Sequence, residues 1–284
     1  MESTELPRVV VEEIVVRALM EDLAGGDVTT EACVEPAAVA HARAVARGDL
    51  VACGALVFAR VFAHVDPSLV VETVTPDGTR ASRGTTLWTV TGRARSILMG
   101  ERVALNLTQR MTGVATMTRA YVDAVPAGCS TRITDTRKTT PGLRALERYA
   151  VRTGGGMNHR DNLGSAVLIK DNHIAACGGV TKAIERARAR ASHTSRIECE
   201  VDTLAQLDEA LAARADIVLL DNMDTATVAE AVRRAKATGA LTEASGGITF
   251  PRVAELAKAG VFAISVGALT HSAPAADIGL DFDA

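Results

Sequence analysis

The spacing of hydrophobic and polar residues changes near residue 126 of the chain. Before that point, residues 7–23 place apolar side chains at helical spacing, and residues 96–124 predict a second long helix with a break near Gly113. Residues 38–90 instead contain short β-prone runs separated by Gly, Pro and Asp. This first part of the chain therefore predicts a small antiparallel sheet with helices beside it.

After Pro126, short apolar runs alternate with helical segments about six times. One of these segments, residues 141–154, has Thr140 as its expected N-cap, Pro141 in its first turn and Gly154 near its end. Regular alternation of strand and helix is typical of a parallel sheet covered by helices. The second part therefore predicts either an α/β barrel or a doubly wound sheet.

Polar residues follow the end of each predicted strand in this second part. Helix capping explains one such end but does not easily explain six in succession. In barrels and in open α/β sheets, catalytic and binding groups lie at the carboxyl ends of the parallel strands. The pattern therefore favours an enzyme over a binding or structural module. The six ends are residues 135–138, 170–173, 200–202, 221–222, 245–247 and 267–271.

The composition argues against several kinds of partner. Of the 284 residues, 48% are hydrophobic, which supports one large α/β domain or two smaller ones. An aromatic share of 3% and a net charge of −3 argue against nucleic-acid binding. The five cysteines are scattered and odd in number, and no signal peptide or membrane-length apolar run is found. These features predict a cytoplasmic protein with free thiols and no membrane partner.

A basic segment lies inside this acidic chain. Residues 101–170 contain 11 Lys or Arg residues against 5 Asp or Glu residues. The segment is either a run of solvated or ion-paired arginines or a cleft for a small anion. Guanidinium groups match carboxylate and phosphate oxygens two at a time, so the set suits a ligand with several negative groups. The candidate cations are Arg102, Arg137, Lys138, His159, Arg160 and Lys170.

Two acidic residues and two late loops complete the candidate site. Glu200 and Asp221 end successive predicted strands, where a carboxylate can hold ribose hydroxyls, hold Mg²⁺ through its waters or stabilise a developing positive charge. Helix capping is an alternative for both, more plausible for Asp221 than for Glu200. Backbone N–H groups at helix starts bind phosphate, and in barrels the last two loops often do so. Those loops contain Ser245-Gly246-Gly247 and Gly267-Ala268.

Several of these motifs, taken together, resemble the quinolinate phosphoribosyltransferase family, the decarboxylating nicotinate-nucleotide pyrophosphorylases. The resemblance covers nearly the whole chain. It implies a type II phosphoribosyltransferase-like fold, with an N-terminal α/β sandwich (residues 1–110, joined by residues 272–284) and an incomplete α/β barrel (residues 111–271). The motifs are GGDVTT, ERVALNLTQRMTGVAT, TDTRKTTPGLRALERYAV, GGGMNHRDNLGSAVLIKDNHI, ECEVDTLAQ, LLDNM, EASGGI and ISVGALTHS.

The resemblance also implies an activity and an assembly. The family's reaction joins quinolinate to the ribose of phosphoribosyl pyrophosphate and yields nicotinate mononucleotide, pyrophosphate and CO₂, a step of NAD synthesis. It requires Mg²⁺. The resemblance implies a homodimer in which the partner chain completes each site, and a higher oligomer stays open.

The motifs assign roles to particular residues of this chain by resemblance. Lys138, Glu200 and Asp221 take the catalytic roles, with Lys138 on the pyrophosphate side and the two acids near the ribose and Mg²⁺. The implied quinolinate-binding residues are Arg137, His159, Arg160 and Lys170, together with Arg102 from the neighbouring subunit. The residues implied around the 5′-phosphate are Ser245, Gly246, Gly267 and His271.

Two other functions remain compatible with the sequence. A related phosphoribosyltransferase acting on nicotinate or another monoacid would need fewer cations around the base. A non-catalytic barrel that senses a phosphorylated metabolite would be expected to lack a catalytic group, whereas Lys138, Glu200 and Asp221 are all present. The number of cations and the complete catalytic set favour the diacid substrate and an enzyme.

Overall fold

The structure, a computed structural model, describes residues 6–283. Its helices are α1 (Arg8–Leu23), α2 (Val28–Cys33), α3 (Ala55–Val65), α4 (Ala94–Asp123), α5 (Arg144–Thr153), α6 (Asp171–Cys177), α7 (Val180–Arg190), α8 (Leu204–Ala212), α9 (Thr225–Thr238), α10 (Phe250–Ala259) and α11 (Ala268–His271). No helix in this part of the chain combines the length and apolar character needed to cross a bilayer.

The strands alternate with these helices along the chain. They are β1 (Val39–Ala46), β2 (Leu50–Val51), β3 (Val70–Thr73), β4 (Arg80–Ala81), β5 (Thr86–Arg93), β6 (Arg132–Thr134), β7 (Val167–Ile169), β8 (Ile197–Val201), β9 (Ile217–Asp221), β10 (Leu241–Ser245), β11 (Ala263–Ser265) and β12 (Ile278–Phe282).

The described chain divides into two compact units that alternate along the sequence. The first unit comprises the residues up to Arg119, Thr139–Gly155 and the residues from Ala268 onward. The second unit comprises Ala120–Lys138 and Gly156–Gly267. Helix α5, which follows the first strand of the second part, belongs by its contacts to the first unit. The family resemblance predicts domains of residues 1–110 with 272–284 and of residues 111–271. These boundaries stay a prediction.

The first unit contains the predicted antiparallel sheet. Its strand order is β12-β1-β5-β3, so the last strand of the chain pairs with the first. The sheet is covered by apolar side chains from α3, where the ring of Phe58 lies 5.1 Å from Trp88 and 4.9 Å from Phe62. Trp88 lies on β5, which is paired on both sides and is buried from Leu87 to Val90.

Helix α4 runs for 30 residues without the predicted break at Gly113. The glycine has a packing role instead, because a Cβ at this position would overlap the carbonyl oxygen of Pro274 in the C-terminal segment. Arg110, one turn earlier, donates to the carbonyl oxygens of Thr270 and Ala273. The C-terminal segment therefore packs directly against this helix.

Helix α5 begins later than the sequence predicts. Its N-cap is Leu143 rather than Thr140, and Pro141 lies outside the helix. The reason is Gly142, whose φ of +82° is not helical. Thr140 instead donates its backbone N–H and its hydroxyl to the buried carboxylate of Glu147, at 3.0 and 2.7 Å. The predicted end at Gly154 is confirmed.

The second unit contains the strands of the six predicted strand–helix units as one parallel sheet of order β6-β11-β10-β9-β8-β7. Within residues 6–283, β6 and β7 stand at the two ends of that order and are not paired with each other. The antiparallel sheet and the open parallel sheet confirm the sandwich and incomplete barrel expected from the sequence, and exclude the doubly wound alternative.

Candidate active site

A cavity of about 390 Å³ lies at the carboxyl ends of the parallel strands. Side chains two positions apart on a strand point to the same face, and two strands supply such a pair to the cavity. β9 supplies Leu219 and Asp221, and β10 supplies Glu243 and Ser245. The lining residues are Thr136, Arg137, Lys138, His159, Arg160, Leu168, Lys170, Glu200, Leu219, Asp221, Glu243, Ser245 and Ser265.

One side of this cavity is cationic. Arg137 and Lys138 follow β6, and Arg160 lies on the loop that follows Gly156. Burial lowers the pKa of Arg160, and repulsion from Arg137 lowers it further. The two guanidinium groups therefore lie close enough to repel each other, Glu198 offsets part of that repulsion, and a ligand with two negative groups would relieve it further.

The loop carrying His159 and Arg160 is fixed to β6 by one buried carboxylate. Asp135 is fully buried and accepts the backbone N–H of His159 at 2.7 Å and the side-chain amide of Asn158 at 2.6 Å. Met157 pairs with Thr134 as an isolated parallel bridge. The polar residues after the three glycines are thus directed toward the end of the sheet.

The glycines before this loop are needed for close packing in the first unit. A Cβ on Gly154 would lie 2.5 Å from the carbonyl oxygen of Ala115, and one on Gly155 would overlap the guanidinium of Arg119. Gly155 also has a φ of +92°, which L side chains rarely adopt. The chain can therefore turn tightly between helix α5 and the loop that follows.

A buried triad of His159, Glu198 and Glu243 lies beside the cavity, which His159 and Glu243 line. The Nε2 atom of His159 is 3.2 Å from Glu198 Oε2 and 3.4 Å from Glu243 Oε1. The carboxylate side chains are 7% and 8% exposed. Burial alone would lower the pKa of His159, but hydrogen bonds to the two carboxylates raise it to about 10. Burial raises the pKa of Glu198.

The triad therefore retains one titratable proton well above neutral pH. The backbone N–H of Arg160 donates to Nδ1 of His159 at 2.8 Å, which requires a lone pair on that nitrogen. With Nδ1 accepting, the ring carries its proton on Nε2, so the further proton that the raised pKa retains belongs to the triad as a whole, with Glu198, whose pKa burial raises, as its other site. The three ligand atoms also lie within 4.8 Å of one another, as in a metal site. A metal on Nε2 would displace the ring proton, so the hydrogen bonding favours a proton-sharing triad.

The other side of the cavity is acidic. Glu200 and Asp221 both line it, as the sequence predicts. Glu200 accepts a hydrogen bond from Nζ of Lys170 at 2.8 Å, an ion pair that joins the acidic side to the cationic side. Asp221 accepts a hydrogen bond from the side-chain amide of Asn222 at 2.7 Å.

The loops after β9 and β10 hold each other in place. Asn222 adopts a φ of +53°, and a Cβ on Gly246 would overlap its Oδ1 atom. Arg252 on α10 donates to the carbonyl oxygens of Gly246 and Met223, and so connects the two loops. Asn222, which donates to Asp221, can therefore keep its position only because residue 246 is a glycine.

The structure brings together eight of the predicted residues around one cavity. They are Arg137, Lys138, His159, Arg160, Lys170, Glu200, Asp221 and Ser245. Gly246 is next to Ser245, and Gly267 follows β11, but neither lines the cavity. Arg102 and His271 belong to the first unit. The roles predicted for all of these residues stay predictions.

Sequence reasoning missed Glu198 and Glu243. Both lie in the buried middle of a strand, in RIECEV and LTEAS. An acidic residue in a strand that is covered on both faces is costly unless it is partnered, so this pattern alone marks a candidate functional group.

All five cysteines are free thiols. Cys199 lies between Glu198 and Glu200, and burial together with the negative charge of Glu200 raises its pKa to about 12. Burial also raises the pKa of Cys53. These two thiols are therefore protonated at neutral pH and unsuited to nucleophilic catalysis.

Comparison with protein families gives two matches that cover most of the chain. Residues 27–112 match the quinolinate phosphoribosyl transferase N-terminal domain, and residues 114–281 match the C-terminal domain. A nicotinate-nucleotide pyrophosphorylase [carboxylating] of Mycobacterium leprae is 47% identical over 272 residues, which cover 93% of this chain and 94% of that protein. A probable enzyme of the same name from Synechocystis is 40% identical, covering 96% of this chain and 93% of that protein.

The fold is likewise similar to solved structures. The nicotinate-nucleotide pyrophosphorylase from Francisella tularensis superposes with a TM-score of 0.92 at 34% identity, covering 100% of this chain and 99% of that chain. The structural similarity therefore extends over both units of the chain, as the similarity in sequence does.

Proposed function

The chain belongs to the quinolinate phosphoribosyltransferase family, and we propose that the cavity of the parallel-sheet unit is where its reaction takes place. The protein is accordingly a decarboxylating phosphoribosyltransferase of NAD synthesis. It joins quinolinate to the ribose of phosphoribosyl pyrophosphate and releases pyrophosphate and CO₂. The observation that supports this location is one cavity with neighbouring guanidinium groups on one side and two carboxylates on the other.

We propose that the cationic side binds quinolinate. This pyridine carries two adjacent carboxylates, and each guanidinium can donate two parallel hydrogen bonds to one of them. Arg137 and Arg160 are the neighbours placed for this, with Lys170 beside them. A monoacid would satisfy one guanidinium and leave the repulsion between the pair, so the arrangement favours the diacid.

The acidic side suits the ribose. As the pyridine nitrogen bonds to the anomeric carbon and pyrophosphate leaves, positive charge develops on the ribose, which Glu200 and Asp221 would stabilise. Lys138 would offset charge on the departing pyrophosphate. Once the nitrogen is quaternised, the ring accepts the electron pair released when the 2-carboxylate leaves as CO₂. The protein's part is to position groups and stabilise charge, with no covalent enzyme intermediate.

Mg²⁺ fits the acidic side by the chemistry of its donors. Glu200 and Asp221 supply the hard oxygen atoms that this ion prefers, and each is oriented by a hydrogen bond from a neighbour. Since Lys170 already occupies part of Glu200, we expect the carboxylates to hold the ion through water. When bound, Mg²⁺ would offset negative charge on the pyrophosphate. Chelation by EDTA should abolish turnover and leave quinolinate binding unchanged.

We further propose a homodimer in which Arg102 of one chain completes the site of the other. Arg102 lies on α4 and is exposed. Arg102→Ala and Asp221→Asn should each be inactive alone. Mixing the two after reversible dissociation should restore activity, because one site of the mixed dimer then has both native residues. No recovery, with mixed dimers verified by mass, would mean that Arg102 serves the site of its own chain.

A paired turnover assay tests the proposed activity. With phosphoribosyl pyrophosphate and Mg²⁺, quinolinate and nicotinate are offered separately, and mononucleotide and CO₂ are measured. We expect both products from quinolinate and none from nicotinate. Turnover of nicotinate alone would show a monoacid transferase. Tight binding without turnover would support the sensor alternative.

A further inference from the structure

Both ring nitrogens of His159 are already engaged within the protein. Nδ1 accepts the backbone N–H of Arg160, and Nε2 faces Glu198 and Glu243. The ring N–H faces these two carboxylates, and the contact with quinolinate that the family resemblance implies for His159 stays a prediction. Its contacts connect two strands of the sheet to the backbone of the residue that carries a base-binding guanidinium.

We propose that Glu198 and Glu243 are positioning residues that act through His159 to hold Arg160 at the base-binding side of the cavity. This inference rests on the proposed function, because it assigns Arg160 to quinolinate. The two acids lie on β8 and β10, on either side of β9, and converge on one nitrogen. The imidazole is therefore held from two strands at once.

We call the contacts of His159 with Glu198, Glu243 and the backbone N–H of Arg160 the anchor. The anchor is needed because Arg160 lies near the like charge of Arg137. Repulsion from Arg137 disfavours the charged guanidinium of Arg160 at this position, and attraction to Glu198 opposes that repulsion. Asp135 fixes the backbone N–H of His159, and the triad fixes its side chain. With both ends of His159 held, the N–H of Arg160 is held too, and the guanidinium needs less ordering when quinolinate binds.

The burial of the acids supports a role beyond fold stability. Glu198 Oε1 is buried and, within residues 6–283, has no hydrogen-bond partner, while the buried Glu243 Oε1 has only the 3.4 Å contact with Nε2, outside ideal hydrogen-bond geometry. Apolar residues of similar volume would fill these positions without that penalty. The arrangement is explained if the imidazole requires acceptors at this point.

Matched substitutions separate acceptor function from packing. Glu243→Met and Glu198→Met keep the side-chain volume and remove the acceptor, whereas Glu243→Gln and Glu198→Gln keep an oxygen that can accept from Nε2–H. The ligand is phthalate, a benzene ring with the same two adjacent carboxylates, and its Kd is measured by calorimetry. Cys199→Ala, a buried change on the same strand, serves as control.

We expect the Met variants to weaken phthalate binding at least about tenfold, as loss of a supporting shell commonly does. The Gln variants and Cys199→Ala should stay within about threefold of wild type, and the KM for phosphoribosyl pyrophosphate should change by less than about twofold in all five. Equal effects of Met and Gln, or equal effects on both substrates, would overturn the proposal.

A double-mutant cycle tests whether the effect passes through Arg160. In an Arg160→Ala background, Glu243→Met should weaken phthalate binding little further, because the group it positions is gone. Additive losses would show that the triad acts on the ligand independently of Arg160, and would overturn the proposal.

Nitrogen-15 NMR of histidine-labelled wild-type protein tests the anchor without any variant. We expect His159, identified by its absence in His159→Gln, to carry its ring proton on Nε2 and an unprotonated Nδ1. A proton on Nδ1 would overturn the anchor. If wild-type protein binds neither phthalate nor quinolinate, the proposed function fails, while the NMR result still decides the hydrogen bonding.

Discussion

The antiparallel sheet and the parallel sheet both contain buried strands, but different kinds of residue fill their interiors. Strand β5 of the antiparallel sheet is covered on both faces and fills its interior with Leu87, Trp88 and Val90. Strands β8 and β10 of the parallel sheet are equally covered but contain Glu198 and Glu243. Acidic groups lower stability at such positions unless they are partnered. If Glu198 and Glu243 position Arg160 as proposed, the interior of the first sheet serves stability, whereas part of the interior of the second serves the ligand site.

The largest effect on stability should follow removal of the core of the antiparallel sheet. Trp88→Ala should lower the free energy of unfolding by about 3–5 kcal/mol, because it leaves a cavity beside Phe58. Urea denaturation measures the loss, and Trp88→Phe serves as the milder control. The fraction of Trp88→Ala protein that stays folded should keep the wild-type KM values for quinolinate and phosphoribosyl pyrophosphate. A changed KM with an unchanged free energy of unfolding would show that Trp88 serves the ligand site rather than stability, and would contradict the contrast between the two sheets.

The largest effect on ligand binding should follow loss of a cavity guanidinium. Arg160→Ala should raise the KM for quinolinate by the equivalent of about 2–3 kcal/mol, the strength of hydrogen bonds to charged groups, with little change for phosphoribosyl pyrophosphate. Thermal denaturation should show nearly wild-type stability. Arg196→Ala is the control, because Arg196 precedes β8 and so lies at the amino end of the strands, away from the cavity at their carboxyl ends. Equal changes in both KM values would remove Arg160 from the base-binding side.

The acidic side should respond to a change in its supporting loop. Gly246→Ala should reduce kcat/KM for phosphoribosyl pyrophosphate by about 1–3 kcal/mol, because strain at positive φ and overlap with Asn222 both displace Asp221. Gly239→Ala is a matched control, since Gly239 has a φ of +80° but open space around it. If the two variants behave alike, backbone strain rather than the contact with Asn222 decides the effect.

The smallest effect should be a change in the pH dependence of stability. The folded triad keeps its proton to about pH 10, whereas an unfolded histidine releases it near its ordinary pKa of 6.5. Stability from the triad is therefore complete below pH 6.5 and is lost as pH rises toward 10. Glu198→Gln replaces the proton holder with a neutral group. Its melting temperature should fall less over that interval than that of wild type, by about 2–4 °C. Parallel curves would contradict the shared proton.

The sequence predicted the order of strands and helices well, because the alternation of short apolar runs with helical segments is strong after Pro126. It also placed Arg137, Glu200 and Asp221 at strand ends, where the structure has them lining one cavity. These predictions needed local patterns only.

The errors arose where distant contacts decide. The spacing around Gly113 looks like a helix break, but the glycine accommodates Pro274, more than 150 residues later in the sequence. Thr140 has the chemistry of an N-cap, but Glu147 accepts both of its donors. The convergence of Glu198 and Glu243 on His159 depends on two strands that are not adjacent in the sheet. No local pattern contains that information.

Direct measurement of ligand binding tests the central claim that neighbouring arginines bind two adjacent carboxylates. Calorimetry without phosphoribosyl pyrophosphate compares quinolinate with nicotinate on wild-type protein and on Arg160→Ala. We expect wild type to bind quinolinate at least about tenfold more tightly, the equivalent of one additional charge-assisted interaction. Arg160→Ala should lose most of that preference. Equal affinities for the diacid and the monoacid in wild type would contradict the account.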